Sequence, residues 1–257
     1  MKTRVITAIV ALIVFLPLLF LGGDYFKFTT FALGVVAMYE IVRMTFKETN
    51  IVVLGLSSLA GALLFLNEEI SQLQLYGLIF LILVGMLATV VATGHKIKLV
   101  EIGSIIFVTA YIFIGFYCLF MIRNLSLSHV AYLLLTIWFT DSFAYFGGMK
   151  FGKNKLSPNI SPNKSIEGSV IGSVSSIAIA LLFFFTTNIF SNLLVAIVVT
   201  LIVSVIGQFG DLIESAYKRE YQVKDSSNLL PGHGGIFDRF DSVILSAPCL
   251  IILLSLF

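Results

Sequence analysis

Long apolar runs separated by short polar connectors make up most of the chain, and the runs do not alternate polar and apolar residues as β-barrel strands would. A helix needs about 20 apolar residues to cross a hydrocarbon layer about 30 Å thick. Nine segments approach that length, near 5–22, 28–45, 51–66, 73–92, 102–122, 129–147, 168–187, 190–210 and 242–257, the third and ninth being short. The first follows Met1, Lys2, Thr3 and Arg4; its apolar run exceeds the roughly 7–15 residues of a signal-peptide core and no small-residue cleavage site follows, so it reads as an uncleaved first span. The pattern predicts an all-α integral membrane protein, a polytopic helical bundle of about nine transmembrane helices.

Two stretches interrupt the pattern. Residues 148–167 and 211–241 are long and polar, whereas the other connectors are short. The expected organisation is an N-terminal set of spans over 1–140 and a C-terminal region over 141–257 that carries both polar loops, with no separate soluble domain. No internal repeat stands out.

Charge placement orients the bundle. With the N-terminus in the cytoplasm, only Lys27 and Arg123 fall outside and the other 14 of the 16 Lys and Arg residues fall inside. A miscounted helix would mix the two sets, so the split supports both the count and a cytoplasmic position for the two long loops. The expected location is the cell (cytoplasmic) membrane, with the active site on its cytoplasmic side. Composition agrees: 58% of residues are apolar, the mean hydropathy is +1.04, and 12% are charged against about 25% in ordinary soluble domains. A net charge of +2 is too small to argue for nucleic acid. Cys118 and Cys249 lie in apolar runs and form neither a metal spacing nor a disulfide framework.

Candidate chemistry gathers in the loops and at the helix ends beside them. If the segment after Gly210 is helical, Asp211, Glu214, Ser215 and Lys218 share one face. A carboxylate face at a membrane boundary suits a hard cation such as Mg²⁺; the alternative is a solvated helix end with Glu214 and Lys218 as an i,i+4 pair. Pro231, Gly232, Gly234 and Gly235 break any helix and let the backbone approach a ligand. Asp238 and Asp241, at i and i+3, open the ninth helix, where acidic groups also suit the dipole. Ser161 and Pro162 read as an N-cap with Pro at the first helical position, which would put Lys164 in the first turn, where a cation is disfavoured unless an anion is bound. Asp141 sits well inside the sixth span, and an ionised carboxylate there must meet water, a cation or a partner. Glu40 and Arg43 share a face near the cytoplasmic end of the second span and are expected to satisfy each other. No P-loop pattern, no zinc spacing and no Ser/His/Asp or Cys/His arrangement is present.

These residues resemble a known family. Ser215, Tyr217, Lys218, Arg219, Lys224, Asp225, Ser227, Leu230, Pro231, His233, Gly234, Gly235, Ile236, Asp238, Arg239, Phe240 and Asp241 are similar, at their spacing, to the signature of phosphatidate cytidylyltransferases, or CDP-diacylglycerol synthases. Asp141, Ser142, Ala144 and Tyr145 with Phe151, Gly152 and Lys153 match as well, as do Ser161, Pro162, Lys164, Ser165, Glu167 and Gly168. The match covers about residues 141–242, and the first 140 fit only as hydrophobic spans.

The resemblance implies that CTP and phosphatidic acid give CDP-diacylglycerol and pyrophosphate, in a polytopic, Mg²⁺-dependent homodimer among membrane lipids, with a second cation left open. Asp211, Asp238 and Asp241 are then expected to hold the metal, with Asp141 and Glu214 as further ligands. Lys164, Lys218 and Arg219 would hold phosphates of CTP or lipid. Ser165, Glu167, Lys224, Asp225, Gly232, His233, Gly234, Gly235 and Arg239 would complete the substrate site. Two other readings stand beside it: a CTP-dependent polyprenol or lipid kinase, and a cation or proton transporter using Asp141 and Glu40.

Overall fold

The computed structural model describes residues 2–66, 70–232 and 234–256. The described chain is helical apart from one small hairpin: α1 Lys2–Leu21, α2 Gly23–Phe46, α3 Ile51–Phe65, α4 Gln72–Ala92, α5 Leu99–Leu125, α6 Leu127–Phe151, β1 Lys155–Ser157, β2 Ser161–Ser165, α7 Ile166–Ser175, α8 Ile177–Thr186, α9 Leu193–Glu220 and α10 Phe237–Leu256. Among the described residues, seven helical segments are long and apolar enough to cross a membrane, and Ile9–Leu21 and Ile51–Phe65 are shorter apolar helices. Large apolar side chains such as Phe28, Val91 and Phe107 are exposed, as expected where lipid rather than water is the surrounding solvent. The protein is an all-α membrane protein.

Helix starts are set by side-chain caps. Asn50 Oδ1 accepts from the Val53 N–H at 3.1 Å, Ser126 Oγ from His129 at 3.2 Å, and Ser71 forms a capping box with Gln74. Each cap satisfies a backbone donor that a helix leaves unpaired at its first turn.

The chain divides into two compact units. The first comprises Met1–Phe120 with Asp225–Phe237. Its interior is built around Phe113. A Cβ at Gly34 of α2 would come within 2.8 Å of the Phe113 ring, and one at Gly61 of α3 would overlap it. Both glycines are therefore required by packing. Phe31 stacks on Phe113 at 5.9 Å between ring centroids and meets Phe65 edge-on at 5.5 Å.

The second unit comprises Met121–Lys224 with Asp238–Phe257. Small residues let its helices approach. A Cβ at Gly172 of α7 would lie 2.6 Å from the Thr140 carbonyl oxygen of α6, and one at Gly168 would lie 3.0 Å from the Gly148 Cα. A Cβ at Gly210 of α9 would likewise lie 3.0 Å from the Ser242 Cα of α10. Across these close approaches runs a polar ladder: Thr140 Oγ1 donates to Ser204 Oγ at 2.9 Å, Ser204 Oγ to Ser173 Oγ at 3.2 Å, and Gln208 Nε2 to Ser173 Oγ at 2.9 Å.

The expected seventh span is in fact two helices, α7 and α8, meeting at Ser176, whose Oγ donates back to the Ser173 carbonyl at 2.7 Å. Serine back-bonding of this kind competes with the helical ladder and bends it. The start expected at Ser161 is a second correction. Residues Ser161–Ser165 form β2, antiparallel to β1, and the cap of α7 is Ser165, whose Oγ accepts from the Gly168 N–H at 3.1 Å. Pro162 is compatible with an edge of a two-stranded hairpin as well as with a helix start, and the serine three residues later takes the cap. Lys164 is thus in a strand, and the argument from an unfavourable helical position does not apply to it.

Candidate active site

The α9 helix is longer than one membrane crossing requires. At about 1.5 Å per residue, Leu193 to Gly210 already covers about 27 Å, close to a full hydrocarbon thickness. The last turns, Asp211 to Glu220, exceed that length, and this segment, expected as the start of a loop, is helical. Asp211, Glu214, Ser215 and Lys218 accordingly lie on one face, and Ser215 Oγ donates to Asp211 Oδ1 at 3.4 Å. Because Gly210 lets α10 pack tightly, Asp241 comes to the same place. One carboxylate oxygen from each of Asp211, Glu214 and Asp241 lies within 4.8 Å of the others, with Glu214 buried and the two aspartates half-buried. All three donors are hard oxygens, so the set fits a hard divalent cation such as Mg²⁺.

Two ammonium groups offset part of this charge. Lys164 Nζ of β2 pairs with Asp211 Oδ2 at 2.5 Å. Lys218 Nζ pairs with Glu214 Oε1 at 2.5 Å and with Asp238 Oδ1 at 3.0 Å. Asp238 is therefore held by Lys218, whereas its neighbour one helical turn on, Asp241, joins the carboxylate cluster. Asp141, half-way along α6, lies within electrostatic reach of Asp211, Asp241 and Lys164. Arg219 Nε donates to the Ile160 carbonyl at 3.2 Å, joining α9 to the hairpin turn.

Other sequence candidates have structural partners. The Glu167 carboxylate accepts from the backbone N–H groups of Lys153 and Asn154 at 3.1 and 3.2 Å and from Asn154 Nδ2 at 2.7 Å, so it closes the base of the hairpin. Ser165 is the α7 cap described above. Lys224, Asp225 and Arg239 are exposed. His233 lies outside the described residues.

In the first unit, the glycine loop is a compact turn. Gly232 and Gly234 have φ of 78° and 80°, the left-handed region open to glycine, and the Leu230 N–H donates to the Gly234 carbonyl at 2.9 Å. Gly235 is required for space: a Cβ there would overlap Ser226 Oγ and the Glu40 carboxylate. Glu40 is fully buried and does not pair with Arg43, which donates instead to Tyr39 Oη at 3.3 Å. The Glu40 carboxylate accepts from the Ser226 and Ser227 hydroxyls and from the Ile236 and Phe237 N–H groups. Sequence spacing on one helix pointed to Arg43, and the long-range partners carried no local signal. The Gln208–Ser173 ladder was missed for the same reason.

A polytopic helical membrane protein with a carboxylate and lysine cluster where two helix ends meet is what the fold and this site define. The Cytidylyltransferase family model matches residues 2–257, and the chain belongs to that family. It is 37% identical over 258 residues to a phosphatidate cytidylyltransferase of Staphylococcus haemolyticus, covering 99% of each chain. It is 39% identical to one of Bacillus subtilis, covering 100% of this chain and 98% of the relative, and 38% identical to one of Staphylococcus aureus, covering 99% of each.

Proposed function

We propose that the protein is a phosphatidate cytidylyltransferase that condenses CTP with phosphatidic acid to CDP-diacylglycerol and pyrophosphate. The observation that carries the assignment to this site is the convergence of Asp211, Glu214 and Asp241 with the ammonium groups of Lys164 and Lys218. In the reaction a phosphatidate oxygen attacks the α-phosphorus of CTP. The new P–O bond forms as the bond to the β-phosphate breaks, and pyrophosphate leaves with that electron pair. The attacking phosphate is already ionised near neutral pH, so no strong general base is required.

Two polyanions must be brought together, so the protein's task is neutralisation and alignment. Lys164, Lys218 and Arg219 hold phosphates of CTP and lipid. Asp211, Glu214 and Asp241 would hold Mg²⁺, with Asp141 and Asp238 beside them as further ligands. Bound there, the cation would supply charge neutralisation at the phosphoryl oxygens. Ser165 and Glu167 shape the hairpin that presents Lys164. Lys224, Asp225, Gly232, His233, Gly234, Gly235 and Arg239 complete the substrate site, the glycines letting backbone N–H groups approach the nucleotide.

The proposed arrangement has nine spans, α1 and α3 being the short ones and α7 with α8 forming one. The N-terminus and the active site are cytoplasmic, on the charge asymmetry of the loops, in the cell membrane and as a homodimer. The catalytic region is 141–257, with the first 140 residues supplying membrane helices. Purified protein with CTP, Mg²⁺ and phosphatidate should release pyrophosphate only when phosphatidate is present and stop when EDTA is added. Pyrophosphate release that ignores EDTA would remove the metal from this proposal, and release of CDP would replace cytidylyl transfer by a kinase.

A further inference from the structure

Glu40 is fully buried in α2, a helix long and apolar enough to cross a membrane. A carboxylate in such a place is costly unless every lone pair is engaged. Here the engagement is complete and symmetrical. Oε1 accepts from Ser227 Oγ at 2.7 Å and from the Ile236 N–H at 2.9 Å. Oε2 accepts from Ser226 Oγ at 2.9 Å and from the Phe237 N–H at 2.9 Å.

Each oxygen thus takes one hydroxyl from the start of the glycine loop and one backbone N–H from its end. The N–H groups are those that open α10, where a helix leaves its first backbone donors without intrahelical partners. The loop is fastened once more at its middle, where Thr7 Oγ1 of α1 donates to the Pro231 carbonyl at 3.0 Å. Gly235 is the residue that lets the chain pass over the carboxylate.

We infer that Glu40 is a positioning residue for the nucleotide: it clamps both ends of the glycine loop and thereby fixes the backbone that receives CTP. The inference rests on the proposed role of that loop in holding CTP. It assigns a function to α2, outside the stretch that carries the signature. It also explains why two serines precede the glycine turn. A carboxylate is specifically required. Glutamine has the same shape but would turn an N–H₂ donor toward one of the two backbone N–H donors, leaving both unsatisfied.

The test uses the full-length protein in lipid nanodiscs and two readouts, hydrogen exchange over residues 226–237 and steady-state kinetics. Glu40→Gln is expected to speed exchange of the Ile236 and Phe237 amides and to raise the KM for CTP about tenfold or more, with the KM for phosphatidate within about twofold. Ser227→Ala, which leaves both backbone bonds in place, is expected to shift both readouts in the same direction by less. If Glu40→Gln does not fold, the Ser226→Ala/Ser227→Ala double variant replaces it, with exchange and the KM for CTP expected to shift in the same direction and by more than in Ser227→Ala. Unchanged exchange overturns the clamp. Faster exchange with an unchanged KM for CTP overturns its role in positioning. Wild-type protein that turns over no CTP overturns the functional reading instead, and the clamp is still decided by exchange.

Discussion

Asp241 carries the sharpest demand made of any single residue. It is brought by α10 to Asp211 and Glu214 of α9, so that three carboxylates converge where like charges repel unless a cation or ammonium group is present. Asp241→Asn keeps the side-chain shape and removes one charged donor. Its turnover is expected to fall about a hundredfold or more, with the protein still folded by its thermal transition. Normal turnover with unchanged Mg²⁺ dependence would contradict the metal assignment. Lys164→Met removes the ammonium group that faces Asp211, and the KM for CTP is expected to rise about tenfold while the hairpin stays intact. An unchanged KM would leave Lys164 as a partner of Asp211 only. These residues were legible in the sequence because charged groups beside apolar runs are conspicuous. What was not legible was pairing: Asp238 and Asp241 look equivalent at i and i+3, and only the position of Lys218 separates them.

Among the elements, α6, α7, α9 and α10 are placed by glycines where neighbouring backbones nearly touch. Gly172→Val is expected to force α6 and α7 apart and to cost about 1–3 kcal/mol. Gly103→Ala in α5, where a new Cβ meets nothing within 4 Å, serves as the control and should leave the protein unchanged or slightly more stable. Thermal unfolding in detergent compares the two, and equal stability would show that the close packing is not required. The helices themselves were readable, because a span of apolar residues has one stable solution in lipid. Their ends were not. α9 continues to Glu220 because nothing in Asp211–Glu220 breaks a helix, and polarity alone made that stretch resemble a loop. The hairpin at Lys155–Ser165 was hidden for the opposite reason: Ser161 and Pro162 suit a helix start in isolation, and Ser165 competes for the same role.

For the whole molecule, the charge asymmetry gives an orientation that labelling can check. Single cysteines introduced at Asn159 and at Ser126, after replacement of Cys118 and Cys249, are expected to react with a membrane-impermeant reagent from opposite faces, Asn159 from the cytoplasmic side. Reaction of both from one side would contradict the nine-span arrangement. Membership in the Cytidylyltransferase family extends over residues 2–257, so the N-terminal helices belong to the same enzyme as the signature stretch. Composition alone had made them anonymous spans. The most direct test of the central claim follows the fate of each phosphorus of CTP. Purified protein would be given phosphatidate and Mg²⁺ with CTP labelled at its α-phosphorus in one sample and at its γ-phosphorus in another. Cytidylyl transfer places the α-label in lipid and the γ-label in pyrophosphate. Lipid that gains the γ-label, with CDP as the second product, would contradict the account.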